Sequence, residues 1–154
     1  IGAVSTLALV VAAFARPLAQ WEAYLARLRL ADLYLDALTF NTHTQGAEAL
    51  WAGVPLVTCP GEHWVARVGA SLLNAIGMPE MIADSFEAYE ALACELASRP
   101  VRLAAVREKL AAARTTAPLF DSSRFVRHVE SAFTTMIERH RQGLGPVGFE
   151  VTPI

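Results

Sequence analysis

Residues 33–58 constrain the fold more than any other stretch of the chain. A strand-like run, Leu33 to Leu35, leads into the polar loop Phe40-Asn41-Thr42-His43-Thr44-Gln45-Gly46. The loop opens a short helix over Thr44–Ala52, with a carboxylate, Glu48, one turn in. Gly53 then stops the helix, and a second strand follows at Val54 to Thr58. Strand, crossover helix and strand in so short a span favour parallel pairing, with helices covering the sheet. Ligands of such sheets bind beyond the carboxyl ends of the strands. The loops 36–46 and 58–62 both follow strands, so they share that edge. A helix start carrying hydroxyl, imidazole and N–H groups is suited to an anion.

The rest of the chain alternates in the same way. Leu7 to Phe14 reads as a buried strand or a helix, and Gln20 to Leu30 as a helix presenting Trp21, Tyr24, Leu25 and Leu28 on one face. Ala31 to Leu35 reads as a short strand. Glu62 to Ile76 reads as a helix closed by Gly77, and Met81 to Ala83 as one more short strand. Three helices then follow. The first is capped by Ser85 and runs to about Ser98. The second starts at Pro100, where proline is tolerated, and the third runs from Asp121 or Ser122 to about Arg141. Expected domain limits are therefore 1–141, with 142–154 a flexible Gly- and Pro-containing tail.

Composition excludes several classes. A formal charge of −2 gives no electrostatic case for nucleic acid. The apolar opening is shorter than the roughly 20 residues of a membrane span and has no basic flank of a secretory signal, so no membrane partner is expected. It reads as a start cut from a longer protein. Cys59 and Cys94 lack metal-ligand spacing and read as free buried thiols of a reducing compartment, with a cytoplasmic location. Arg67 is expected to pair with a nearby acid, and His63 to be exposed. Asp36, ending a strand at the ligand edge, is expected to order the loop that follows it.

Several spaced motifs recur in one order: Ala31-Asp32-Leu33-Tyr34-Leu35-Asp36, Asn41-Thr42-His43-Thr44-Gln45-Gly46, Leu50-Trp51-Ala52-Gly53-Val54-Pro55-Leu56-Val57-Thr58, Pro60-Gly61-Glu62 and Arg67-Val68. Together they resemble the C-terminal catalytic half of the O-linked N-acetylglucosamine transferases. These are the family-41 glycosyltransferases, which include the plant SPINDLY-type proteins.

The resemblance implies an α/β fold, a Rossmann-like parallel sheet with helices on both faces. That would be the second half of a GT-B glycosyltransferase with a helical C-terminal region. The implied activity is inverting transfer of N-acetylglucosamine from UDP-GlcNAc to Ser or Thr of an acceptor protein. Its alternatives are a GDP-fucose donor or a non-catalytic, partner-binding remnant of the fold. The implied partners are the donor, the acceptor protein, an N-terminal catalytic domain and tetratricopeptide repeats. No cofactor and no obligatory metal are implied. No catalytic residue is expected in this chain, because the base belongs to the first catalytic domain, so the fragment alone should be inactive.

The resemblance also implies site roles. His43 and Thr44, with the N–H groups of Gln45 and Gly46, bind the diphosphate. Gln45 stands where threonine is common in the family, so its backbone N–H rather than its side chain is the expected donor. Glu48 accepts from the ribose hydroxyls. Tyr24 and Arg27, one turn apart, lie at the base. On the residues alone, Thr44 and its neighbours could be ordinary helix caps, and Glu48 a dipole-complementing acid.

Overall fold

The computed structural model describes residues 20–152. Among them, eight helices and strands follow one another as α1 (Trp21–Leu28), β1 (Tyr34–Leu35), α2 (Thr44–Ala52), β2 (Leu56–Val57), α3 (Val68–Ala75), α4 (Phe86–Ser98), α5 (Pro100–Ala113) and α6 (Ser122–Arg141). Short 3-10 turns occupy Trp64–Ala66, Pro79–Met81 and Pro118–Phe120. The expected strand at Leu7 to Phe14 lies outside the described residues.

β1 and β2 run parallel, with Tyr34 opposite Leu56 and Leu35 opposite Val57. Among the described residues this two-stranded ladder is the whole named sheet, so a full Rossmann-like sheet is not what these residues form. Regular pairing is confined to two residues per strand, fewer than the runs expected from 31–35 and 54–58. Beyond it, the chain turns into the ligand-edge loops. The expected strand at Met81 to Ala83 is instead a 3-10 turn followed by a single parallel bridge, Ile82 to Thr58. There the Thr58 N–H donates to the Met81 carbonyl at 3.2 Å, and the Ala83 N–H to the Thr58 carbonyl at 2.8 Å. The 3-10 turn over Pro79–Met81, closed by the Ile82 N–H on the Pro79 carbonyl at 3.1 Å, takes Met81 out of the extended geometry a longer pairing needs.

The helix expected over 62–76 is also divided. Arg67, at φ −123° and ψ −5°, departs from helical geometry between the 3-10 turn and α3. That break lets Gly69 approach the end of β1, where a β-carbon would collide with the Asp36 carboxylate and the Thr58 hydroxyl. Elsewhere the local rules hold. Gly53 ends α2 at φ 89°, a left-handed conformation that glycine adopts without a side-chain clash. The Ser85 hydroxyl accepts from the Ala88 N–H at 3.1 Å and caps α4. Asp121 caps α6 through the Arg124 N–H at 2.8 Å.

The core sits between the sheet and helices α2 to α5. Leu50, Leu56, Val57, Leu73, Ile76, Met78, Met81, Leu96 and Leu110 form its main cluster. Leu28, Ala49, Ala52 and Val54 form a second one that joins α1 to α2, and Tyr34 packs against both. Each fully buried leucine contributes about 1.5–3 kcal/mol relative to an exposed one, so these contacts fix the position of α2. The helical region is tied back by Arg107, which donates to the Ala31 carbonyl at 2.7 Å and pairs with Asp32 at 3.2 Å.

α6 stands apart from this core. It buries no residue, and Phe125, Phe133, Met136 and Ile137 lie exposed along it. Residues 142–152 are irregular and turn back on α6, with the Leu144 N–H donating to the Arg139 carbonyl at 3.0 Å. Cys59 is buried and Cys94 exposed, so the expectation of two buried thiols fails at Cys94, which lies on the outer face of α4. Arg67, which is exposed, makes no ion pair among the described residues, so the pairing expected of it is not found there. No helix among the described residues is long and apolar enough to cross a membrane.

Candidate functional site

The site is built on the loop that leaves β1. Asp36, only 4% exposed, anchors it. One carboxylate oxygen accepts from the Thr42 N–H at 2.6 Å and the other from the Thr58 hydroxyl at 2.6 Å. This single side chain therefore binds the loop after β1 to the end of β2. Burial raises its pKa above the ordinary aspartate range, against the lowering effect of the donors from Thr58, Thr42 and Ala37. The Tyr89 hydroxyl donates to the Asp36 carbonyl at 2.9 Å, adding α4 to the same junction.

Asn41 is the second anchor. Its amide nitrogen donates to the Ala37 carbonyl at 2.8 Å, and its side-chain oxygen accepts from the Gly69 N–H at 3.3 Å. Asn41 is thus used inside the loop rather than as a helix cap. No side chain caps α2, whose N-cap position is His43. The Gly46 and Ala47 N–H groups turn back to the His43 carbonyl at 3.2 and 3.3 Å. The helix start, with its first N–H groups and the positive end of its dipole, therefore carries no competing side-chain acceptor.

A cavity of about 390 Å³ opens there, lined among others by Asp36, Asn41, Thr42, His43, Thr44 and Gln45. Thr44 and Gln45 are exposed, His43 half-buried and Gly46 buried. A side chain at Gly46 would run into Thr42, which closes the loop over it.

One turn into α2, Glu48 is half-buried and forms a side-chain hydrogen bond with the Tyr24 hydroxyl. Burial first, then that hydrogen bond and the Glu48 charge, push the Tyr24 pKa up to about 12. The Arg27 guanidinium lies 5.9 Å from the centre of the Tyr24 ring. Tyr24, Arg27 and Glu48, drawn from two helices, therefore converge. At 1.5 Å rise per residue, Glu48 lies about 6 Å along α2 from Thr44. Along α2 the helix start comes first and Glu48 one turn on, with Tyr24 and Arg27 of α1 beside Glu48.

His63 is exposed, as expected of it. The sequence reading missed three features. Gly69 and Tyr89 complete the loop's anchoring, and Phe40 and Trp64 both contact the His43 ring, with centres 4.9 and 5.7 Å away. The only local signal for the last pair is the presence of large aromatic residues in two polar loops. Among the described residues, no group of three or more His, Cys, Asp or Glu is placed to hold a metal ion.

The family model Glycosyl transferase family 41 matches residues 8–129. The chain is 41% identical over 129 residues to the probable UDP-N-acetylglucosamine–peptide N-acetylglucosaminyltransferase SEC of Arabidopsis thaliana, covering 83% of this chain and 13% of that protein. It is 37% identical over 123 residues to the corresponding Caenorhabditis elegans transferase, covering 80% of this chain and 11% of that one. Among solved structures, it is similar to a K341M mutant of Thermobaculum terrenum O-GlcNAc transferase. The TM-score there is 0.72 and the identity 32%, over 78% of this chain and 23% of that one. The chain thus spans about one eighth of the length of these curated relatives.

Proposed function

Because the chain belongs to glycosyl transferase family 41, we propose that it is the donor-binding half of a GT-B protein O-glycosyltransferase. In this reading it holds the nucleotide of UDP-N-acetylglucosamine while the sugar is transferred to Ser or Thr of an acceptor protein. The observation that carries the reading is the uncapped start of α2, with Glu48 one turn on and Tyr24 and Arg27 of α1 beside Glu48. His43, Thr44 and the N–H group of Gln45 take the diphosphate at the helix start, where Gly46 leaves room for Thr42 to close the loop. Glu48 takes the ribose hydroxyls one turn on, and Tyr24 with Arg27 takes the base. A nucleoside diphosphate has its parts in that same order. The names of the relatives, which specify UDP-N-acetylglucosamine and a peptide acceptor, support the same donor and acceptor.

The chemistry asked of this half is limited. As the glycosidic bond to the diphosphate breaks, negative charge grows on the leaving phosphate. Preorganised N–H groups and a helix dipole stabilise it without a metal. The Glu48 carboxylate must exchange the Tyr24 hydroxyl for ribose hydroxyls, so nucleotide binding should rearrange that pair. The acceptor and the catalytic base belong to the remaining length of the enzyme, and the chain alone should bind nucleotide without transferring sugar.

The test is a thermal-shift titration of the chain with UDP and GDP. UDP should stabilise it by ligand linkage, about 2.7 kcal/mol at a hundredfold excess over Kd, and GDP by less. Thr44→Ala and Glu48→Ala should each reduce the UDP shift. An absent UDP shift, or an undiminished one in both variants, would sink the assignment.

A further inference from the structure

The two ligand-edge loops are joined by a backbone hydrogen bond, from the Asn41 N–H to the Val65 carbonyl at 2.9 Å, and the second loop is closed on itself by the Gly61 N–H to the Ala66 carbonyl at 2.8 Å. This join sets Trp64, in the loop after β2, against His43, in the loop after β1. The two ring centres are 5.7 Å apart with planes tilted by 47°. Phe40 stacks on the same imidazole at 4.9 Å and 14°. Both aromatic residues are largely exposed, Trp64 at 72% and Phe40 at 59%, so neither serves the hydrophobic core. The His43 Nε2 is buried and has no hydrogen-bond partner. Ring contacts, not hydrogen bonds at that nitrogen, therefore orient the imidazole.

We propose that Trp64 is a positioning residue: with Phe40 it holds the His43 imidazole in the loop that receives the donor diphosphate. The inference rests on the reading of His43 as a diphosphate ligand and adds to it the second loop's part in that contact. Unheld, the imidazole would rotate about its two side-chain bonds and lose part of its binding energy to ordering. The Trp64 contact does that ordering before the ligand arrives, which is the benefit of preorganisation. The ring pair should matter for phosphate and not for nucleoside, because Glu48 stands one turn further into α2 and Tyr24 and Arg27 stand on α1.

The experiment titrates UDP and uridine calorimetrically into the wild-type chain and the Trp64→Ala and Trp64→Phe variants. In parallel, the His43 ring protons are followed by NMR without ligand. Trp64→Ala should bind UDP roughly three- to tenfold more weakly, the range expected of one aromatic pair. Its uridine affinity should be unchanged, Trp64→Phe should recover most of the loss, and the His43 ring resonances should move in ligand-free Trp64→Ala. Equal losses for UDP and uridine would reveal a merely structural role and overturn the proposal. So would unchanged UDP binding together with unmoved His43 resonances. If wild-type chain binds uridine but gains nothing from the diphosphate, the diphosphate reading of His43 falls with it; if UDP binds and only Trp64→Ala is silent, this inference alone falls.

Discussion

Asp36→Ala removes the acceptor that joins the ends of β1 and β2. The Thr42 N–H and the Thr58 hydroxyl, both at 2.6 Å from its oxygens, would lose their partner in a place water does not reach. Leaving a buried donor unsatisfied costs about 1–3 kcal/mol, and the Thr58 hydroxyl can recover part of this by rotating. Relief from burying a carboxylate offsets some of the rest. The net loss should be about 2–4 kcal/mol, or a fall in Tm of about 5–15 °C for a domain of this size.

Asp36→Asn is the control. Its amide keeps an oxygen for the Thr42 N–H and offers a nitrogen to the Thr58 hydroxyl oxygen, so the cost should stay near 1 kcal/mol. The pH dependence separates charge from hydrogen bonding. Burial raises the folded-state pKa of Asp36, so over the titration range the folded chain holds more protons than the unfolded one. Its contribution is therefore complete below the unfolded pKa of about 3.9 and is lost as pH rises through the raised value. Asp36→Asn should abolish that slope. Urea denaturation between pH 3.5 and 7 measures both effects. A loss below about 0.5 kcal/mol for Asp36→Ala, well under the cost of one orphaned donor, would refute the claim that this carboxylate ties the loop to the sheet.

Two further outcomes follow from the geometry. Gly69→Ala should destabilise by about 1–3 kcal/mol, as overpacking does, because its β-carbon meets Asp36 and Thr58; a denaturation midpoint equal to wild type would contradict the close approach. Glu48→Gln should lower the alkaline titration of Tyr24 from about 12, since Glu48 supplies both a hydrogen bond and a charge that raise it. An ultraviolet titration comparing Glu48→Gln with its Tyr24→Phe double variant isolates that tyrosine. Because the folded pKa is the higher one, the Tyr24 contribution to stability is complete below about pH 10 and is lost as pH rises toward 12.

Local chemistry made α2 legible. Glycine after Ala52, apolar residues on the inward side and a polar run before Thr44 determine a short helix between two strands, whatever surrounds it. The same is true of the Ser85 cap and of Pro100 at the first position of α5. The spaced motifs carried the family, and with it the expected diphosphate, ribose and base groups.

What the sequence by itself did not determine is how those groups are held. Asp36 reaches Thr58 across 22 residues, Asn41 reaches Gly69 across 28, and Tyr89 reaches back 53 to Asp36. No periodicity or propensity encodes such pairings, because they exist only once the β1 and β2 ends lie side by side. The break at Arg67 has the same origin: a continuous helix over 62–76 suits the local sequence, but the close approach of Gly69 to Asp36 requires the chain to bend first. Tertiary packing likewise decided that Asn41 braces the loop instead of capping α2, that Tyr24 meets Glu48, and that Trp64 rests on His43. The residue types expected of a nucleotide site were present in the sequence; their mutual orientation is a product of long-range contacts, which local chemistry cannot specify.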